Sequence, residues 1–281
     1  MSKLKKNKAD VNPDLTSDNY IHAPNEFFVH LSMILTCMLK HSHAPQGVLM
    51  SLLRPIPKNR KKSLNDSSNY RSIAISSILL KIFDKVVLAT HSQVLSTSNL
   101  QFGFKAKHST TQCTFVLNEI IDYYMRNDSS VFVTLLDASK AFDRVNYIRL
   151  FSLLRRRGLC PLLTRFLLML YAGQSLSVKW QEETSSPFGC RNGVKQGAVV
   201  SPVLFCIYMD TLLQRLEGSG LGCHVGHKFI GAISYADDLT LIAPTHEATQ
   251  RMLIICEEFA NEYDVLFNST KSQVVVFNHK I

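Results

Sequence analysis

The sequence has no C-x-x-C pair and no histidine at finger-like spacing from a cysteine, which argues against a zinc module. Its seven cysteines, Cys37, Cys113, Cys160, Cys190, Cys206, Cys223 and Cys256, are odd in number and widely scattered. A disulfide framework is therefore not expected, and the pattern suits a reducing compartment. No stretch reaches about 18 uninterrupted apolar residues, the least that spans a bilayer. The basic start MSKLKKNKADVNPD has no apolar core behind it, so it does not read as a secretory signal. The expectation is an intracellular protein, neither secreted nor in a membrane. Repeats and low-complexity tracts are absent too. Acids are scarce: Asp plus Glu number 22 against 31 Lys plus Arg, a net charge of +9. That balance suits a polyanion such as nucleic acid, although many basic proteins bind none. What is present in quantity is apolar material, 46% of 281 residues, enough for a core in one large or two smaller domains.

Residues 1 to about 23 are polar, charged and aperiodic, and read as a flexible basic lead-in. From Asn25 to about His41, Phe28, Leu31, Ile34, Leu35, Met38 and Leu39 recur at helical spacing. Val48 to Ile56 reads as extended, followed by the basic loop KNRKK (58–62). Ile73 to about Leu95 and Thr110 to Met125 read as helices, with QFGFKAKH (101–108) between them as irregular structure. VFVTLL (131–136) is a core strand that ends at Asp137. Asp143 reads as the N-cap of a helix from Val145 to Arg157, stopped by Gly158, and Pro161 opens another running to Tyr171. Short strands are expected at Ser175 to Trp180 and Pro187 to Arg191, and a helix from Ser201 to about Leu216. Phe229 to Tyr235 and Leu239 to Ala243 are apolar runs joined through Asp237 and Asp238, which implies a tight hairpin. A helix over Thr245 to Tyr263 and a strand over Gln273 to Phe277 complete an α+β pattern, a sheet with helices on one face.

Two adjacent aspartates at a hairpin tip repel each other, and in a partly buried site one is driven to protonate unless a cation compensates. An exposed turn is the plain reading of such a pair, since Asp is common there. The strand leading into it is apolar, however, and Asp137 ends a second core strand about a hundred residues upstream. Carboxylates converging from neighbouring strand ends supply the hard oxygens that Mg²⁺ takes. Two such ions suit an in-line phosphoryl transfer.

LDASKAFD (136–143), NGVKQGAVVSP (192–202) and YADD (235–238) resemble, in order and spacing, the A, B and C motifs of reverse transcriptases. LRPIPK (53–58), NYRSIA (69–74), ILLKIF (78–83) and QFGFKAKHSTT (101–111) are similar to the non-LTR, LINE-like retrotransposon branch. The resemblance covers about residues 25 to 278. It implies Asp137, Asp237 and Asp238 as ligands of two Mg²⁺ ions, with Mn²⁺ a possible substitute. It implies Phe142 as the aromatic under the sugar that excludes a 2′-hydroxyl, with ordinary core packing as the competing reading. Gln196 and Gly197 match the pair lining the nucleotide and template site, where glycine lets backbone approach closely. The family continues with a small residue, often Gly or Ser, where this chain has Ala198.

Tyr235 would support the hairpin against the primer, or pack in the core. Lys271 resembles the lysine that protonates departing pyrophosphate, with an exposed turn lysine as the alternative. Lys58 and Arg71 resemble the side chains that hold the incoming triphosphate. Arg155, Arg156 and Arg157 are explained by their place in the last turn of a helix. Lys3 to Lys8 and Arg60 to Lys62 could touch phosphates or be solvated.

The resemblance implies a right-hand polymerase, with fingers mainly from 25–130, palm from 131–281 and no room for a thumb. The implied activity is RNA-templated DNA synthesis on a DNA or RNA primer with deoxynucleoside triphosphates. Thumb and endonuclease functions would then come from elsewhere, as for a retrotransposon fragment. A catalytically inactive RNA-binding remnant is the alternative. An RNA-templated RNA polymerase is disfavoured by Phe142.

Overall fold

The computed structural model describes residues 4–278. In chain order, the elements begin with α1 (Ser17–Ile21), α2 (Asn25–His41), α3 (Gln46–Leu49), β1 (Met50–Pro57), β2 (Tyr70–Ser76) and α4 (Ile78–Thr90). Next come α5 (Thr110–Arg126), β3 (Val131–Leu136), α6 (Ala141–Arg144), α7 (Tyr147–Arg156), α8 (Pro161–Ala172), β4 (Ser175–Trp180), β5 (Glu183–Thr184) and β6 (Phe188–Gly189). The last are α9 (Ser201–Gly218), β7 (His224–Val225), β8 (Lys228–Phe229), β9 (Ala232–Tyr235), β10 (Asp238–Ala243), α10 (His246–Tyr263) and β11 (Gln273–Phe277). They form two compact units, each built from two stretches of chain: up to Leu95 with Tyr147–Ser201, and Ser96–Asn146 with Pro202–Ile281. These units cut across the expected boundary at residue 130.

In the first unit the sheet order is β2-β1-β4-β5, with β6 also on β4. β1 and β2 pair antiparallel from Ser51↔Ser76 to Pro57↔Tyr70, whereas β1 and β4 run parallel from Met50↔Ser175. The helix expected over Ile73 to Leu95 is corrected here. Residues 73–76 alternate half-buried and buried, the period of a strand, and belong to β2. The helix starts at Ile78, where the Ser77 hydroxyl accepts from the Leu79 amide at 3.2 Å. Val48 and Leu49, expected as extended, close the short α3 instead.

The lead-in is also corrected over residues 4–24, because it is tied down. Asp10 is buried and its carboxylate accepts from the Ile78 amide at 2.6 Å, while the Ser17 hydroxyl donates to the Lys5 carbonyl at 2.8 Å. Lys3, read as either a phosphate contact or a solvated lysine, lies outside the described residues. Leu31, Ile78 and Ile82 form a core with Tyr20 and Phe28 around it.

In the second unit four strands pair antiparallel in the order β11-β3-β10-β9. Val131, Val133, Ile233 and Ile242 point to one face and pack with Ile120 and Ile121 of α5. Phe132 points to the other face and meets His246 of α10. Helices thus cover both faces rather than one, because the central strand β3 is apolar on both sides. Phe229 belongs to a separate β7–β8 hairpin, so the strand entering the Asp237 turn is shorter than expected. Asp143 does not cap a helix from Val145: it lies inside α6, and Val145 breaks the chain before α7 begins at Tyr147. The Asn146 amide turns aside there to donate to the Tyr208 hydroxyl at 3.2 Å.

Candidate active site

β3 and β10 pair with Leu136 opposite Leu239, so the next positions, Asp137 and Asp238, stand across from each other at the strand ends. β9 and β10 close a hairpin at Tyr235↔Asp238, leaving Ala236 and Asp237 as a two-residue turn. Ala236 adopts φ +59, a left-handed conformation that costs an L-residue about 1–2 kcal/mol. Three carboxylates from two strands are thereby drawn to one end of one sheet.

Their electrostatics show that they sense one another. The Asp238 carboxyl is held above its usual range, first by burial, then by the charges of Asp237 and Asp137, with Lys271 acting in the opposite direction. Lys271 reaches this end because the turn 268–272 is stitched to the end of β3. The Asn268 amide donates to the Asp137 carbonyl at 2.8 Å, and the Asp137 amide to the Ser272 hydroxyl at 3.4 Å. The Lys271 ammonium then lies 3.2 Å from Asp137 Oδ2, with side chains 63% and 33% exposed. At that exposure the pair adds at most about 1 kcal/mol of stability, so its interest is positional. Among the described residues no three His, Cys, Asp or Glu side chains are gathered into a ready metal cage. The Lys271 cation draws Asp137 to itself. The donor set nonetheless fits Mg²⁺ in kind, since every candidate is a hard carboxylate oxygen.

Phe142 projects from α6, which follows Lys140 at φ +49. Its ring stacks on Phe205 with centroids 4.5 Å apart and meets Phe104 edge-on at 6.1 Å. It is half-buried, so one part of the ring is packed and another is open. Tyr235, the residue before the turn, is likewise half-buried.

Lys58, Arg71, Gln196 and Gly197 belong to the first unit. Lys58 follows β1; its amide donates to the Asn69 carbonyl at 2.6 Å and its ammonium to the Ser68 carbonyl at 3.0 Å. Arg71 is exposed on β2, opposite Ile56. The Gln196 carbonyl accepts from the Ala74 amide at 2.8 Å. Gly197 has φ +108, and a Cβ there would sit 2.9 Å from the Ala74 carbonyl oxygen, so this loop needs glycine. Arg155 donates to the Leu159 carbonyl, as a basic residue at a helix end should.

Sequence reasoning missed the anchor of this glutamine-glycine loop. Asp84, on α4, accepts from the amides of Val199 and Val200, both at 3.2 Å. Burial pushes its carboxyl up to about 6 against the pull of those amides and of Lys195. Burial likewise pushes Lys195 down to about 8, opposed by Asp84, and the ammonium donates to the Ser51 hydroxyl at 2.9 Å. An acid inside the apolar run ILLKIFDKVV was the available signal. The sequence shows Gln101 and Gly103 only as part of the QFGF motif and assigns them no role.

A family model described as "Reverse transcriptase (RNA-dependent DNA polymerase)" matches residues 56–281. A Pol polyprotein from the type-2 retrotransposable element R2DM of Drosophila melanogaster is 25% identical over 241 residues, covering 86% of this chain and 22% of that protein. The RNA-directed DNA polymerase from the mobile element jockey of Drosophila funebris is 28% identical over 296 residues, covering 100% of this chain and 31% of that protein. The chain thus spans 22 to 31% of the length of these two relatives. Among solved structures, telomerase from Candida tropicalis with a fragment of telomeric RNA matches at a TM-score of 0.60 and 12% identity, covering 89% of this chain and 44% of that one. That likeness concerns the fold, a right-hand polymerase. The match across most of its length places this chain in the reverse transcriptase family, with non-LTR retrotransposon proteins among its relatives.

Proposed function

We infer that the chain works as the catalytic part of an RNA-directed DNA polymerase, extending a primer hydroxyl on an RNA template with deoxynucleoside triphosphates. The observation that supports it most is the pairing of strand ends that sets Asp238 opposite Asp137 and beside Asp237, with the Asp238 carboxyl raised by both neighbours. Asp137, Asp237 and Asp238 would hold two Mg²⁺ ions, or Mn²⁺ in their place. When bound, such ions activate the attacking 3′-hydroxyl and stabilise the leaving phosphate oxygen.

The protein's own groups do the rest. Lys271, already at this strand end, keeps a proton on Nζ for the departing pyrophosphate. The open edge of Phe142 lies under the sugar and leaves no space for a 2′-hydroxyl. Lys58 and Arg71 bind the triphosphate, the second through a planar guanidinium fork. Gln196 and Gly197 line the base pair. The unit with the acids acts as the palm, and the polymerase works inside the cell on a nucleic acid that its net charge of +9 favours.

Primer extension on an RNA template with Mg²⁺ tests this reading against the double variant Asp237→Asn, Asp238→Asn. Loss of at least about 10³-fold in extension is expected, since the cations these carboxylates would hold are what would offset the negative charge that develops on the phosphate oxygens. Equal extension by both proteins would remove the site. Retained RNA binding with no extension by the unaltered chain would favour the inactive remnant.

A further inference from the structure

The β9–β10 hairpin is clamped by the QFGF segment, in the same compact unit. Gln101 is fully buried. Its Oε1 accepts from the Ala236 amide at 3.0 Å and from the Gly103 amide at 2.8 Å. Its Nε2 donates to the Ser234 hydroxyl at 3.1 Å and to the Ala236 carbonyl at 3.4 Å. The carboxamide has one orientation that satisfies these partners, because two amide donors face one end and oxygens face the other. Ser234 extends the network, its hydroxyl reaching the Ala236 carbonyl at 3.1 Å and the Asp238 carbonyl at 3.3 Å. Backbone rungs reinforce it: the Ser234 amide donates to the Leu100 carbonyl and the Phe102 amide to the Ser234 carbonyl, both at 2.8 Å. Gly103 completes the clamp by having no side chain, since a Cβ there would fall 2.2 Å from the Ala236 nitrogen.

One carboxamide thus grips both the N–H and the C=O of Ala236, the residue in left-handed conformation immediately before Asp237. With both peptide planes fixed, the turn cannot relax toward the extended region that alanine takes by default. The direction in which Asp237 and Asp238 leave the turn follows from those planes. Their mutual repulsion would otherwise favour splaying the turn.

We propose that Gln101 and Gly103 are positioning residues that lock the Ala236 turn and so hold Asp237 and Asp238 in metal-ligating geometry. The second half of this statement rests on the two-metal reading of those acids. Two readouts on the full chain separate them: amide exchange at Ala236, which needs no metal, and Mn²⁺ binding followed by electron paramagnetic resonance. Gln101→Met keeps length and removes the hydrogen bonds. It should speed Ala236 exchange at least about tenfold, while Val133 and Leu241 in the paired strands stay protected. Mn²⁺ affinity should fall about tenfold, the usual effect of losing a group that orients a ligand.

Adding Ala236→Gly to Gln101→Met should recover most of that affinity, because glycine takes a positive φ unaided. A general loss of packing would not be rescued this way. Unchanged Ala236 exchange in Gln101→Met overturns the clamp, as does faster exchange throughout β3 and β10 with no recovery on adding Ala236→Gly. If Ala236 exchange alone speeds up while Mn²⁺ binds equally to wild type and to the Asp237→Asn, Asp238→Asn variant, the clamp stands and the two-metal reading falls.

Discussion

Phe142 is held from behind, its ring nearly parallel to Phe205 at 15°, and the gate proposed for it makes a separable prediction. Replacing it by valine forfeits a stacking contact worth about 0.5–1.5 kcal/mol, a loss the fold tolerates. Phe142→Val should therefore lower the melting temperature by a few degrees and raise ribonucleotide over deoxynucleotide incorporation by about tenfold or more, the worth of one well-placed steric contact. Competing nucleotides in one extension reaction measure it, and an unchanged ratio would reduce Phe142 to core packing. At this scale the hairpin that carries the acids was legible, since Asp237 and Asp238 stand between two apolar runs and the strands pair at Tyr235↔Asp238. Gln101 was not. Most of its partners are backbone atoms, two of them on Ala236, 135 residues away, and a backbone partner leaves no mark in the sequence.

The loop after Gly193 is an element whose shape depends on a buried acid. The carboxyl of Asp84 titrates near 6 when folded and near 3.8 when unfolded, so between those values the folded chain binds more protons. Stability from this group is full below the unfolded value and is lost as pH rises through the folded one. Relative to Asp84→Asn, which keeps an acceptor for the Val199 and Val200 amides, the wild type should lose about 2 kcal/mol between pH 4 and pH 7. Urea unfolding of both proteins across that range reads the difference, and a constant offset would show that Asp84 does not titrate there. Element boundaries were legible where caps were local: α5 begins behind the Ser109 and Gln112 capping box, and β11 falls where its apolar run predicts. Residues 73–76 are hard to assign from sequence because ILLKIF follows directly and its helical period runs on into the alternating SIAIS.

For the whole molecule, the α+β class and the polymerase fold could be read from the motifs, but the division of the chain could not. Residues 147–201 return to the first unit because β4 pairs parallel with β1, Met50 beside Ser175, and no local pattern announces so distant a partner. The consequence is that the acids and Phe142 belong to one unit, and Lys58, Arg71, Gln196 and Gly197 to the other. Everything chemical then depends on whether the end of β3 and the tip of the β9–β10 hairpin share a divalent cation. Iron-directed cleavage asks this directly: Fe²⁺ replaces Mg²⁺, and hydroxyl radicals made at the bound ion cut the nearest backbone. The account predicts paired cuts beside Asp137 and beside Asp237–Asp238, suppressed by excess Mg²⁺ and absent from the Asp237→Asn, Asp238→Asn variant. Cuts at only one of the two places, or cuts that Mg²⁺ does not suppress, would contradict it.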